Sequence, residues 1–230
     1  MKTEYKNIKV IAFDADDTLW VNETYFREAE QKFAKLLSAY ETENKIDQEL
    51  FKMEIDNLNL YGYGVKGFML SMVESALELS NYRLNPKIIQ EILVIGKEML
   101  EKPIELLEGV QQTLETLKPN YKLILATKGD LLDQERKLEK SGLLNYFHHI
   151  EVLSDKKPEN YLKLLAHLDI EPSELLMLGN SLKSDVLPLI EIGASAIHIP
   201  FHTTWAHETV EHNGEGYKTL AKLTDILKFL

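Results

Sequence analysis

Lys9-Val10-Ile11-Ala12-Phe13-Asp14-Ala15-Asp16-Asp17-Thr18 sets a short apolar run directly against three carboxylates. A partly β-branched run of this kind reads as a buried strand that delivers its acids to the loop at its end. Asp14, Asp16 and Asp17 crowd like charges that repel unless a cation or a proton relieves them. A loop that uses Asp for turns and helix caps would account for the triplet by itself. A calcium loop of the EF-hand kind would not. It needs glycine at its sixth position and an acid at its twelfth, where this chain has Leu19 and Tyr25.

Working outward, the apolar pattern recurs in Lys122-Leu123-Ile124-Leu125-Ala126, Ile150-Glu151-Val152-Leu153, Leu175-Leu176-Met177-Leu178 and Ala196-Ile197-His198-Ile199. All but the last of these lead into amphipathic helical sequence, at Leu131 to Leu144, Asn160 to Leu168 and Ser184 to Ile192. Strands alternating with helices predict an α/β fold with a doubly wound, Rossmann-like parallel sheet covered on both faces, a three-layer α/β/α arrangement. From about residue 22 to about residue 102 the period changes to that of helices. Phe26, Ala29, Phe33, Leu36 or Leu37, and Tyr40 recur at steps of three and four, and Ile46, Leu50 and Met53 open a second helix. Phe68, Met72, Ala76 and Leu79 mark a third, and Ile88, Ile92, Ile95 and Met99 a fourth that starts after the cap signal Asn85-Pro86. The expected organisation is a core of residues 1–21 and 103–230 with an inserted helical domain, residues 22–102.

Composition narrows the function classes. A chain of 230 residues with 44% hydrophobic content buries a sizeable core, and the absence of cysteine excludes a disulfide framework, a thiolate nucleophile and a cysteine metal site. A net charge of -11 repels nucleic acid and anionic membrane. Lys6 and Lys9 interrupt the start of the chain, and no apolar run approaches the ~20 residues of a membrane span, so the expected protein is soluble and cytoplasmic. His202, His207 and His212, five residues apart, do not share a helical face and read as loop or surface residues rather than a metal site.

The segment Asp14-Ala15-Asp16-Asp17-Thr18 after an apolar strand resembles the opening Asp-x-Asp-x-Thr signature of the haloacid dehalogenase-like superfamily. Three later segments resemble its other signatures in order: Leu123 to Ala126 running into Thr127-Lys128-Gly129, Asp155-Lys156-Lys157-Pro158, and Leu178-Gly179-Asn180-Ser181-Leu182-Lys183-Ser184-Asp185. The resemblance spans the whole chain, and the helical stretch lies where this family inserts a helical cap. The chain departs from the pattern at Asn180, which stands in place of an acid, and offers two adjacent lysines at the third signature.

What the resemblance implies is a magnesium-dependent phosphatase acting on a small phosphate ester. Phosphate esters are shielded by their own charge, so a carboxylate attacks phosphorus only when cations neutralise both anions. Asp14 is the implied nucleophile, with Asp16 as leaving-group acid and later base, and Thr18 completing the motif. Thr127, the amide of Lys128, and Lys156 are the implied grip on the phosphoryl oxygens; the spacing to Tyr161 favours Lys156 over Lys157. Mg2+ is implied on side chains of Asp14 and Asp185 and the carbonyl of Asp16, with Asn180 as a further metal residue that keeps an oxygen donor but no charge. Asp16 and Asp185 favour phosphoryl transfer over the metal-free dehalogenation run by other family members. A sugar phosphomutase of the same superfamily, a 2-haloacid dehalogenase and a non-catalytic binding module are the competing readings. A cap shedding water restricts the substrate to a small molecule such as a sugar phosphate or nucleoside monophosphate. In the cap, Tyr61-Gly62-Tyr63-Gly64-Val65-Lys66-Gly67 either reads the leaving group or serves as a glycine-rich connector. The expected assembly is a monomer or homodimer without nucleic-acid or membrane partners.

Overall fold

The computed structural model describes residues 5–212 and 214–230. The chain divides into two compact units, the first comprising Met1–Glu23, Ile104–Lys128 and Gln134–Leu230, the second Thr24–Pro103 and Gly129–Asp133.

The first unit is built on a six-stranded sheet: β1 (Val10–Phe13), β2 (Lys122–Lys128), β3 (His149–Leu153), β4 (Leu175–Gly179), β5 (Ser195–His198) and β6 (Lys218–Thr219), in the order β3-β2-β1-β4-β5-β6. Every pairing is parallel. This is the α/β doubly wound sheet that the strand–helix alternation implies, with β6 in addition. Successive side chains along a strand point to opposite faces, so the strands feed two separate cores. Ile11, Phe13, Leu123, Leu125, Leu176 and Leu178 pack on one face with Val110, Leu114 and Leu117 of α5 (Val110–Leu117) and Leu138 of α6 (Leu131–Ser141). Val10, Ala12, Ile124, Ala126 and Met177 pack on the other with Tyr161, Leu164 and Leu165 of α7 (Pro158–Leu168) and Leu189 of α8 (Leu187–Glu191). Burial on both faces is why β1 and β4 read as continuous apolar runs and not as alternating ones. β1 pairs with both β2 and β4, so its end, with Asp14, is flanked by theirs.

The second unit contains α1 (Glu23–Leu37) from its second residue, α2 (Glu43–Tyr61), α3 (Val65–Leu79) and α4 (Pro86–Glu101). Ala29, Phe33, Leu37, Ile46, Leu50, Phe68, Met72, Ala76, Ile92 and Ile95 form its core, the residues whose helical spacing is visible in the sequence. Asn85 accepts a hydrogen bond from the amide of Lys87 with Pro86 in the first turn, a cap worth about 1 kcal/mol. Between α2 and α3, Gly62 and Gly64 take φ of 71° and 106°, a left-handed backbone that disfavours any side chain. The Tyr61 hydroxyl bonds to Glu74, and Lys66 pairs with Asp130 at 2.8 Å, so Tyr61 and Lys66 of this loop are engaged within the unit. The inclusion of residues 129–133 in the helical unit has no counterpart in the sequence pattern.

Candidate active site

Asp14 follows β1 and continues its ladder, its amide donating to the Leu178 carbonyl at 2.9 Å. The side chain is buried, and its two oxygens are separately engaged. Oδ1 receives the Lys156 ammonium at 2.5 Å, and the same Nζ donates to Asp185 Oδ1 at 2.6 Å. Oδ2 receives the Thr18 hydroxyl at 3.1 Å. The Asn180 amide, in the orientation that satisfies both of its ends, donates to Asp14 Oδ2, Thr18 Oγ and the Asp16 carbonyl at 3.1, 3.3 and 3.2 Å. Asp185 Oδ2 accepts from the Ser181 amide at 2.9 Å. Glycine at 179 makes room for this carboxylate: a Cβ there would lie 2.3 Å from Asp185 Cγ. Asp14, Thr18, Lys156, Asn180 and Asp185, drawn from β1, β4 and the turn before α7, therefore meet in one buried network.

Two buried carboxylates share one ammonium, leaving one negative charge unbalanced. Burial and the neighbouring Asp185 raise Asp14 to about 7 against the opposing pull of Lys156. Burial alone would lower Lys156, but Asp14 and Asp185 outweigh it and hold the lysine well above its usual range as a cation. Tyr161, fully buried beside it, donates to the Ser184 carbonyl at 2.9 Å. Lys157 stands outside this network: its side chain is 61% exposed and pairs with Asp155 at 2.9 Å.

Asp16 points elsewhere. Its carboxylate accepts from the Trp20 indole at 2.7 Å, the Lys137 ammonium at 2.9 Å and the Gln134 amide at 2.9 Å. Burial alone would raise it, but these three donors, Lys137 foremost, hold it below its ordinary range. Trp20, Gln134 and Lys137 were not expected from the sequence, because a tryptophan in a loop and two polar residues on an amphipathic helix carry no motif. Thr127 is buried at the end of β2, two residues past Leu125, which pairs with Phe13; its hydroxyl donates to the Lys128 carbonyl at 3.2 Å. The Lys128 ammonium is bound to Ser184 Oγ at 2.9 Å and Glu208 at 2.7 Å.

Asp17 serves the fold. At φ 62° it turns its carboxylate onto the amides of Asn22 at 2.8 Å and Glu23 at 3.0 Å, the start of α1. Burial outweighs these donors and raises it to about 7. A folded-state value above the unfolded one means that the native chain holds the proton more tightly. The charged form is therefore penalised fully above the folded value, and the penalty fades as pH falls toward the unfolded value of ~4. Asp17→Asn keeps the acceptor and tolerates the left-handed backbone. It is expected to be more stable than wild type by on the order of 2 kcal/mol at about pH 8 and nearly equal to it near pH 4.5. Urea denaturation at both pH values checks this, and a gap independent of pH would refute it.

The family model for haloacid dehalogenase-like hydrolases matches residues 8–193. The chain belongs to this family. A solved haloacid dehalogenase-like family hydrolase from Xanthomonas campestris is 36% identical, with a TM-score of 0.85 over 96% of this chain and 95% of that one. A solved 2-haloacid dehalogenase from Pseudomonas syringae pv. Tomato DC3000 shares the fold at 18% identity, with a TM-score of 0.63 over 96% of this chain and 97% of that one. Among curated proteins, the N-acylneuraminate-9-phosphatase of Homo sapiens is 24% identical over 200 residues, 82% of this chain and 81% of its own length. This haloacid dehalogenase-like hydrolase thus shares its fold with a protein named for a different reaction, and the residues around Asp14 have to decide between them. Among the described residues no helix is long and apolar enough to cross a membrane.

Proposed function

We propose that this hydrolase is a phosphatase in which Asp14 attacks the phosphorus of a small phosphorylated sugar. The observation that carries the reading is the buried Asp14–Lys156–Asp185 network, with an acid two residues beyond the first of these. Lys156 cancels part of the charge between the attacking carboxylate and an incoming phosphate, the chief obstacle to attack. Thr18 and Asn180 hold Asp14 Oδ2 and so orient its other oxygen. Thr127 and the amide of Lys128, at the end of the neighbouring strand, supply donors for phosphoryl oxygens. Asp16, kept as a carboxylate by Trp20, Gln134 and Lys137, is ready to take a proton from the water that splits the aspartyl-phosphate. Its earlier role as acid toward the leaving oxygen requires it first to gain a proton against Lys137.

The donor set fits magnesium. Asp14 Oδ2 and the Asp16 carbonyl both lie within 3.2 Å of one end of the Asn180 amide, which would turn its oxygen toward them with a cation held between, so hard oxygens converge beside a site with surplus negative charge. Among the described residues no group of three His, Cys, Asp or Glu side chains is placed to hold a metal, and a backbone carbonyl and water would complete the shell. Asp14, Asp185 and the Asp16 carbonyl would hold the ion, which when bound supplies charge neutralisation for the phosphoryl group. Asn180 in place of an acid lowers the charge of that shell.

The likeness to N-acylneuraminate-9-phosphatase supports a phosphorylated sugar. Phosphate release is to be measured across sugar phosphates, N-acylneuraminate 9-phosphate and p-nitrophenyl phosphate, with Mg2+ and with EDTA. At least one sugar phosphate should be turned over, with a loss of at least about 100-fold in EDTA that Mg2+ reverses. Failure of every ester with Mg2+ present, or halide release from a 2-haloacid instead, would overturn the reading.

A further inference from the structure

Glu208 closes a short 3-10 turn, Ala206–Glu208, in the segment after β5. Its side chain and that of Lys128 are each 13% exposed. The carboxylate gathers donors from two separate places. Oε1 receives the Lys128 ammonium, from the last residue of β2, at 2.7 Å. Oε2 receives the hydroxyls of Ser181 and Ser184, from the turn after β4, at 2.6 and 2.5 Å. Lys128 Nζ also donates to Ser184 Oγ at 2.9 Å, closing the ring. β2 and β4 are the two strands that flank β1, so a single carboxylate ties together the ends on either side of Asp14. A second attachment runs parallel to the first. Lys183 donates to the His207 carbonyl at 2.8 Å and lies 3.1 Å from the His207 ring. Burial by itself would raise Glu208, but Lys128 and the two serines outweigh it and bring it down to about 2, so it is charged at any physiological pH.

We propose that Glu208 is a positioning residue for the phosphoryl site, fixing the Lys128 backbone amide and the turn that carries Asp185 relative to Asp14. Lys128 follows Thr127 and Ser184 precedes Asp185, so the carboxylate grips each side of the site one residue from a group assigned to it. What the site binds rests on the phosphatase reading above; the clamp rests on the hydrogen bonds alone. Glu208 touches no reacting atom in this scheme, and its removal loosens the grip on phosphate without removing the nucleophile.

With p-nitrophenyl phosphate as probe, Glu208→Ala is expected to raise KM at least about tenfold while kcat changes less than about threefold, the split expected when uniform binding is lost. Glu208→Gln keeps an acceptor for the serine hydroxyls but turns an amide toward Lys128, and its KM should fall between those of wild type and the alanine variant. Amide hydrogen exchange over residues 127–129 and 181–186, measured in the same proteins, should accelerate about tenfold in Glu208→Ala, since exchange reports local opening. A folded alanine variant with wild-type KM, or with unchanged exchange in both segments, overturns the proposal. Should wild type itself leave p-nitrophenyl phosphate and every sugar phosphate untouched, the phosphatase reading fails and the exchange measurement alone decides the clamp.

Discussion

Asp14→Asn is expected to lower phosphate release by at least about 10⁴-fold, the scale seen when a nucleophile is removed from an otherwise intact site. The amide keeps the shape of the carboxylate and one oxygen for the Lys156 ammonium or the Thr18 hydroxyl, but its oxygen cannot form the acyl-phosphate bond. Folding should not suffer. In wild type two buried carboxylates compete for Lys156 and burial pushes Asp14 up to about 7. In the variant Asp185 alone faces the ammonium, and the buried network is neutral. The variant should therefore be at least as stable as wild type in urea at neutral pH, which separates lost chemistry from lost structure. A protein that folds normally and retains turnover within about tenfold of wild type would place the nucleophile elsewhere.

Much of the fold was legible because its signals are local. β1, β2 and β4 are apolar runs buried on both faces, β3 and β5 carry shorter apolar stretches, and the second unit's core residues stand at helical spacing, so each element announces itself within a few residues of its own sequence. β6 is two residues long, Lys218 and Thr219, too short to carry any period. The candidate site was legible only through motifs. Lys156 lies 142 positions from Asp14 and 29 from Asp185, and no local pattern joins residues so far apart. Their placement at strand ends does, because parallel strands put all such ends on one side of a sheet. The partners of these residues left no such trace. Gln134 and Lys137 stand three apart on α6 like any polar pair on a solvated helix, yet both hold Asp16. Glu208 sits in an irregular segment where a lone acid ordinarily signals only solubility, and its role emerges from what β2 and β4 bring to it.

The other large effect belongs to Lys156→Met, which keeps an unbranched side chain one atom shorter and removes its charge. The ammonium lies 1% exposed between Asp14 and Asp185, so the substitution leaves two carboxylates buried side by side without a counter-charge. Breaking a buried ion pair by removing one partner costs about 3–5 kcal/mol, mostly as the penalty on the charge left behind. The urea midpoint of the variant should fall accordingly at neutral pH, and turnover should drop about 10³-fold because the cation proposed to face the phosphoryl group is gone. The deficit must depend on pH in a definite direction. Stranded carboxylates have folded-state values raised above the unfolded ~4, so their cost is complete above the raised value and shrinks as acid protonates them. The stability gap to wild type should be widest near pH 8 and narrow toward pH 5. Adding Asp14→Asn should restore at least about half of the lost stability, since one stranded charge then remains instead of two, but none of the activity. A single variant within about 1 kcal/mol of wild type across this range would mean that solvent reaches the two aspartates, and the electrostatic case for a cation-dependent site around Asp14 would go with it.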